Sequence, residues 1–159
     1  MFRLTGEYQA TIDDKGRLKM PSGLAKQFLD QAIALNFMIN RGFEKCLNIY
    51  PKTVWEETAA KVDRLNIYDQ DERQFMRYFY RGATAVIADT AERLLIPKSL
   101  ADFAGLKKEI VLFAYQNMVE LWDAKEYEAA LANEPGQFSE LATKVFGNKN
   151  SAQSLIQQA

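Results

Sequence analysis

The chain contains two similar segments, DDKGRLKMP and DTAERLLIP, whose first residues lie 76 positions apart. Each begins with an aspartate, carries an Arg-Leu pair four residues later and ends with a proline. The similarity continues in a second pair of segments, LNIY followed by Trp55 and VELW followed by Tyr127. These lie 72 positions apart, so the later copy has four residues fewer between its two segments. Self-similarity of this kind indicates internal duplication. The chain is therefore predicted to contain two copies of one small unit.

Length and composition indicate that these copies depend on each other. The 159 residues would form one domain or two small ones. A unit of about 70 to 80 residues buries little surface and is marginal alone. The hydrophobic content of 48% is ample for a packed interior. We therefore expect the copies to share a core, to pair between chains, or both.

Several classes of function are disfavoured by the residue content. The chain has no His and one Cys, which removes His-based catalysis and the common zinc patterns. A lone Cys46 fits a reducing cytosol. The start, MFRLTGEYQA, lacks the apolar segment of a secretory leader, and no apolar run is long enough for a membrane span. We therefore expect a cytoplasmic protein with no cofactor and no membrane partner.

Each copy is predicted to follow the order strand, turn, strand, helix, strand, strand, helix. In the first copy, strands are expected at residues 7–12, 17–20, 37–40 and 46–50, and helices from Pro21 and from Thr53, an N-cap with Glu56 as its capping-box partner. In the second, strands are expected at 83–87, 93–96, 109–114 and 118–122, and helices at 97–103 and 124–132. A helix over 69–81 would join the copies, and a short helix would lie near 138–146.

The predicted domain organisation follows from this order. The first unit covers residues 1–66, a linking helix 67–82, the second unit 83–133 and a polar tail 134–159. Strands this short do not form a stable sheet by themselves. Exchange of hairpins between the copies would let each complete the other. The predicted fold is therefore α+β, with tandem pseudo-symmetric β-α-β repeats in a swapped-hairpin barrel and flanking helices.

Four segments in this order resemble the MraZ family of bacterial transcriptional regulators. They are DDKGRLKMP, ERQFMRYFYRGA, DTAERLLIP and EIVLFAYQNMVELWD, and the similarity spans residue 1 to about 132. The resemblance implies two AbrB-like (SpoVT-AbrB) domains. It also implies a ring-like homo-oligomer on the nucleoid that binds short G-rich direct repeats in double-stranded DNA, upstream of division and cell-wall genes.

The resemblance places the DNA contacts in the loop of the first segment. Carried onto this chain, they are Lys15, Gly16 and Arg17, with Arg93 as the second-copy counterpart. The supporting residues would be Asp13, Asp89, Lys19 and Arg3.

The residue types in that loop suit DNA as well. Arg17 has a planar fork that suits guanine or phosphate, Lys15 adds a mobile charge, and Gly16 permits close backbone approach. Asp13 would cap the turn or orient Arg17. A plain salt bridge between strands is the alternative for Arg17.

The second loop departs from this pattern. Ala91, Glu92 and Leu95 stand where the first copy has Lys15, Gly16 and Lys19, as the 76-residue offset shows. Glu92 is expected to lose the easy positive φ of glycine and to add negative charge. We therefore expect the first loop to be the main DNA reader and the second to be chiefly architectural, which weakens the case for Arg93.

Two alternatives come from other functional classes. A hydrolase could use Asp13, Asp14 and Asp89 as carboxylates, but no base, nucleophile or cofactor loop accompanies them. An antitoxin-like or scaffold module could instead bind a protein partner through the tail from residue 134. We expect no small-molecule substrate.

Overall fold

The computed structural model describes residues 2–132 and 136–147. It divides into two compact units, residues 1–126 and 127–159. The strands are β1 (Gly6–Thr11), β2 (Arg17–Lys19), β3 (Asn36–Arg41), β4 (Leu47–Pro51), β5 (Thr84–Ile87), β6 (Arg93–Leu95), β7 (Glu109–Tyr115) and β8 (Met118–Asp123). The helices are α1 (Ser22–Asp30), α2 (Lys52–Val62), α3 (Gln70–Tyr80), α4 (Lys98–Ala104), α5 (Ala124–Ala130) and α6 (Gly136–Val145).

Both sheets combine strands from the two copies. Six form one antiparallel sheet in the order β1-β7-β8-β4-β3-β5, and β2 pairs with β6 in a separate two-stranded ribbon. Thus β1 of the first copy pairs with β7 of the second, and β5 of the second pairs with β3 of the first. The predicted α+β class and the exchange of hairpins between copies are confirmed. The barrel is open, because β1 and β5 are the edges of the six-stranded sheet.

The pairing has a pseudo-twofold axis. If each strand is replaced by its counterpart in the other copy, the sheet has the same strand order in reverse. Leu18 faces its own repeat counterpart Leu94 in the ribbon, and Asn48 faces its counterpart Glu120 in the sheet. These two pairs mark the axis. The short ribbon is thus built equally from both copies.

The core lies where the ribbon, α1 and α4 meet the sheet. Leu18, Leu24, Phe28, Leu94 and Leu100 are fully buried there. Each such side chain contributes about 1.5–3 kcal/mol on burial. A smaller aromatic cluster has Trp55 of α2 stacked on Phe79 of α3, with ring centroids 4.7 Å apart.

Prolines mark three helix starts. Pro21, Pro51 and Pro97 immediately precede α1, α2 and α4, each with φ between −52° and −56°. The prediction of Thr53 as an N-cap was wrong, because α2 already begins at Lys52 and has no side-chain cap. The fixed φ of Pro51 starts the helix two residues earlier. The helix expected over 69–81 is present as α3, with the Asp69 carboxylate accepting the Glu72 N–H at 2.9 Å.

Candidate nucleic-acid interface

The loop between β1 and β2 is organised by the carboxylate of Asp13. Its Oδ1 accepts the backbone N–H groups of Lys15 at 3.0 Å and Arg17 at 2.9 Å. Its Oδ2 accepts Nε–H of Arg17 at 2.8 Å. Asp residues stabilise turns through such bonds to the following backbone. Asp13 therefore both closes the loop and holds the guanidinium of Arg17.

The loop between β5 and β6 repeats this arrangement. Asp89 Oδ1 accepts the N–H groups of Ala91 and Arg93, each at 2.9 Å, and its Oδ2 accepts Nε–H of Arg93 at 2.8 Å. The two loops therefore hold their arginines in the same way. The alternative for Arg17 was a plain salt bridge between strands. Each ion pair instead joins an arginine at the start of a strand to the aspartate of the loop before it.

The arginine forks face outward. Only Nε of Arg17 is engaged by Asp13; in residues 2–132 and 136–147 its Nη atoms have no hydrogen bond or ion pair. The Arg17 side chain is 33% exposed and that of Arg93 37%. A guanidinium held through Nε still presents its two Nη groups to a ligand. Each guanidinium is therefore held in one orientation by its aspartate.

The backbone of the two loops is also similar. Gly16 has φ of 81° and Glu92 has φ of 61°. Glu92 donates its N–H to Asp89 O at 2.9 Å, as Gly16 does to Asp13 O at 3.0 Å. Glu92 thus adopts the positive φ without the ease of glycine, as expected, because the turn holds it in the left-handed region despite the steric cost. The loops differ in charge, not in conformation.

Hydrogen bonding lowers the pKa of both aspartates. The backbone N–H of residue 17 is the main cause of the lowered pKa of Asp13, followed by the Arg17 side chain, and Asp89 has the same causes from Arg93. A carboxyl whose folded pKa is depressed stabilises the loop above its ordinary pKa near 3.8, and this is lost as pH falls through the lowered pKa. The loops are therefore fully formed at neutral pH.

This gives a prediction for NMR titration of the carboxyl carbons. Asp13 and Asp89 should titrate below 3.8, and Arg17→Ala should raise the pKa of Asp13 only in part, because the backbone N–H remains. Asp89 should be unchanged in that variant and provides an internal control. An Asp13 pKa at the ordinary value in the wild type would contradict the loop geometry.

The ribbon brings most of the predicted site residues together. In β2 and β6 the middle residues are buried and the flanking ones face outward. Lys19 is paired with Arg93, and Arg17 with Leu95. The outer face of the ribbon therefore groups these basic residues with the two loops, which add Lys15 and Gly16. We call this surface the ribbon face; its residues are Asp13–Lys19 and Asp89–Leu95 without the buried Leu18 and Leu94.

Arg3 lies elsewhere. It precedes β1, whereas Asp13 follows it, and the six residues of β1 span about 20 Å. The backbone of Arg3 exchanges two hydrogen bonds with the Gln31 side chain at the end of α1. The structure does not bring Arg3 to the ribbon face.

Sequence reasoning did not include Lys107 and Lys108, which the structure places beside the first loop. They line a cleft of about 580 Å³ together with Asp13, Asp14 and Gly16. Both lysines are exposed. Alignment of the two copies ahead of β3 and β7 could have shown them as a basic pair on one side only.

The described residues contain no group of three or more His, Cys, Asp or Glu placed to hold a metal ion. Within that same part of the chain, no helix has the length and apolarity that a membrane span requires.

Comparison with known proteins gives the family. The family model for the MraZ protein, whose description calls it antitoxin-like, matches twice, at residues 3–78 and 79–149. The chain is similar to the transcriptional regulator MraZ of Christiangramia forsetii, with 42% identity over 93% of this chain and 96% of that protein. The protein of the same name from Flavobacterium psychrophilum is 39% identical over 94% and 96%. That of Cytophaga hutchinsonii is 38% identical over 88% and 92%. The chain therefore belongs to the MraZ family.

Proposed function

We propose that this chain is a sequence-specific DNA-binding transcriptional regulator that reads DNA mainly through its first loop, with Lys15, Gly16 and Arg17. The observation that supports this best is the exposed Arg17 fork held by Asp13 through Nε. A guanidinium fixed in this way can donate two bonds to guanine O6 and N7 in the major groove. The names of the relatives, all transcriptional regulators, agree with this role.

The other residues of the ribbon face have distinct roles in this proposal. Lys15 and Lys19 are exposed and reach phosphates as point charges. Gly16 has no side chain, so a sugar-phosphate backbone can approach the loop closely. Asp13 and Asp89 position the arginines and do not touch DNA. Their carboxylates are occupied by three donors each, which also argues against the hydrolase alternative.

Affinity in this proposal comes from several subunits acting together. The net charge is −1, so bulk electrostatic attraction is weak. We propose that the protein forms a ring-like homo-oligomer on the nucleoid, in the cytoplasm. Its subunits engage short G-rich direct repeats upstream of division and cell-wall genes. Linked binding events of this kind raise avidity by about 10²–10⁴ when the geometry fits.

The test is fluorescence anisotropy on duplexes that carry several G-rich direct repeats, with oligomer size measured by light scattering. Binding is expected to require the native repeat spacing and to weaken steeply with salt. A duplex with the same repeats at altered spacing is the control. Equal affinity for both duplexes, or for a single repeat, would contradict multivalent reading.

Replacement of Glu92 by glycine gives a prediction about the second loop. Glu92→Gly removes a negative charge from the ribbon face and relieves a non-glycine positive φ of 61°. It is expected to raise affinity for the specific duplex several-fold, as anisotropy would measure. Glu56→Gln, which removes one negative charge on α2, is the control and should have little effect. Unchanged or lower affinity in Glu92→Gly would contradict the proposed asymmetry.

The antitoxin-like alternative is favoured by one observation, the description of the family model. In this reading the chain would act on a partner protein through the tail from residue 134. Co-purification of a stoichiometric partner, abolished by removal of that tail, would support it. A chain that binds specific duplex DNA without any partner favours the regulator.

A further inference from the structure

We propose that Lys107 and Lys108 form a phosphate-binding site that serves the first loop alone. The ligand is a backbone phosphate of the DNA whose bases the first loop reads, so the inference rests on the proposed function. The site extends the DNA contact sideways from the ribbon into the cleft beside Gly16. The two loops of one subunit would then differ in the charge of their neighbours as well as in their own residues.

Strand pairing fixes the position of the two lysines. Thr11 at the end of β1 is paired with Glu109 at the start of β7. One residue further, Ile12 donates its N–H to Lys108 O at 2.9 Å, next to Asp13. Lys107 donates its N–H to Oδ1 of the buried Asp123 at 3.1 Å. The backbone of the pair is therefore anchored at both residues, and the ammonium groups alone are mobile.

The cleft has the composition of a phosphate site. Asp13, Asp14 and Gly16 of the first loop and the two lysines line one cleft of about 580 Å³. Gly16 has no side chain, so only backbone lines the cleft at this position. Asp13 is already bound by its three donors, which leaves Asp14 as the acidic group that opposes a phosphate there. Lys107 and Lys108 outnumber it.

The second copy provides the comparison within the same molecule. Ala88 donates its N–H to Leu35 O at 2.9 Å, in the way Ile12 does to Lys108 O. The register agrees, since Ile87 is paired with Asn36 as Thr11 is with Glu109. Ala34 and Leu35 therefore occupy the places of Lys107 and Lys108. The second loop has apolar neighbours where the first has two cations.

This difference adds to the difference inside the loops. The first loop has Lys15, Gly16 and two flanking lysines, and the second has Ala91, Glu92 and two flanking apolar residues. A phosphate beside the second loop would meet Glu92 and no lysine from these positions. The pseudo-twofold axis thus relates a cationic edge of the ribbon, at the first loop, to an edge at the second loop that has Glu92 and apolar neighbours. A subunit with one such edge binds DNA in a single orientation, as a direct repeat requires.

The test uses the full chain with Lys107→Gln and Lys108→Gln combined. Affinity for the specific duplex is expected to fall about tenfold or more, and the slope of log affinity against log salt to decrease by about 0.9 for each phosphate that the variant no longer neutralises. Lys52→Gln with Lys61→Gln removes the same charge from exposed positions on α2 and should change neither quantity. Lys107→Arg with Lys108→Arg should retain binding, because the cations remain.

The outcomes separate this inference from the proposed function. A wild type that binds no specific duplex overturns the proposed function. A wild type that binds, with a Gln variant of equal affinity and equal salt slope, overturns only the lysine site. Circular dichroism and light scattering establish that the variant keeps its fold and oligomer. If the double variant loses its fold or its oligomeric state, Lys108→Gln alone should still reduce the slope of log affinity against log salt by about 0.9. An unchanged slope in that single variant would overturn the lysine site.

Discussion

An Arg17→Ala variant is expected to lose specific DNA binding while its fold and oligomeric state stay intact. Within the described residues, the Arg17 side chain has its hydrogen bond and ion pair with Asp13 only and is 33% exposed, so its removal leaves the fully buried core residues in place. A bidentate contact to a base contributes about 1–3 kcal/mol of discrimination. The affinity is therefore expected to fall about 5- to 150-fold for each subunit engaged. The effect multiplies when several subunits bind one duplex.

The second copy provides the matched control for this result. Arg93 is held by Asp89 with the same hydrogen bonds, at 2.9 and 2.8 Å, and has similar exposure. Arg93→Ala removes the same group from the same geometry. A smaller loss of affinity in Arg93→Ala than in Arg17→Ala would show that the first loop makes the main DNA contact. Anisotropy at two salt concentrations measures both variants. Equal effects would mean that both loops read DNA, and unchanged affinity in both would show that the ribbon face is not the DNA-binding surface.

Phe28→Ala is expected to have the largest effect on stability. Phe28 is fully buried, and its ring meets that of Phe37 edge-on with centroids 5.3 Å apart. Truncation of a buried Phe costs about 3–5 kcal/mol. Domains of this size have only about 5–15 kcal/mol in total. The midpoint of thermal unfolding should fall by on the order of 10 °C.

The neighbouring Leu29 is the control for that measurement. It lies in the same helix, but its side chain is 62% exposed. Leu29→Ala should change the free energy of unfolding by less than about 0.5 kcal/mol. Urea unfolding followed by circular dichroism compares the two variants. Similar changes for both would contradict the placement of Phe28 in the core.

Much of the fold could be predicted because the two copies within the chain can be aligned with each other. The constant offset between the copies indicated the two hairpins, and Pro21 and Pro97 indicated where α1 and α4 start. Exchange of hairpins followed from strands that are too short to be stable alone. The open barrel could not be predicted in this way. Closure depends on how strands from both copies tilt and pair, which local sequence does not specify.

The candidate site was predictable where its residues are local and unpredictable where they are not. Asp13, Gly16 and Arg17 lie within five residues, and their spacing already indicated a capped turn. Glu92 adopts a positive φ because the hydrogen bonds of the whole turn outweigh the preference of this one residue, and residue type alone does not reveal that balance. Lys107 and Lys108 join the first loop only through the pairing of β1 with β7. No local pattern contains that information.

The pairing of β1 with β7 also affects how the chain is made. Gly6 is paired with Ala114, so the first strand to leave the ribosome has no partner until about 100 more residues have been synthesised. At about 5–20 residues per second, this delay is on the order of 5–20 s. Throughout that time both edges of β1 are unpaired. Native pairing of the first strand is therefore completed only after most of the second copy has emerged, which makes the nascent chain a natural client for chaperones that bind exposed strands.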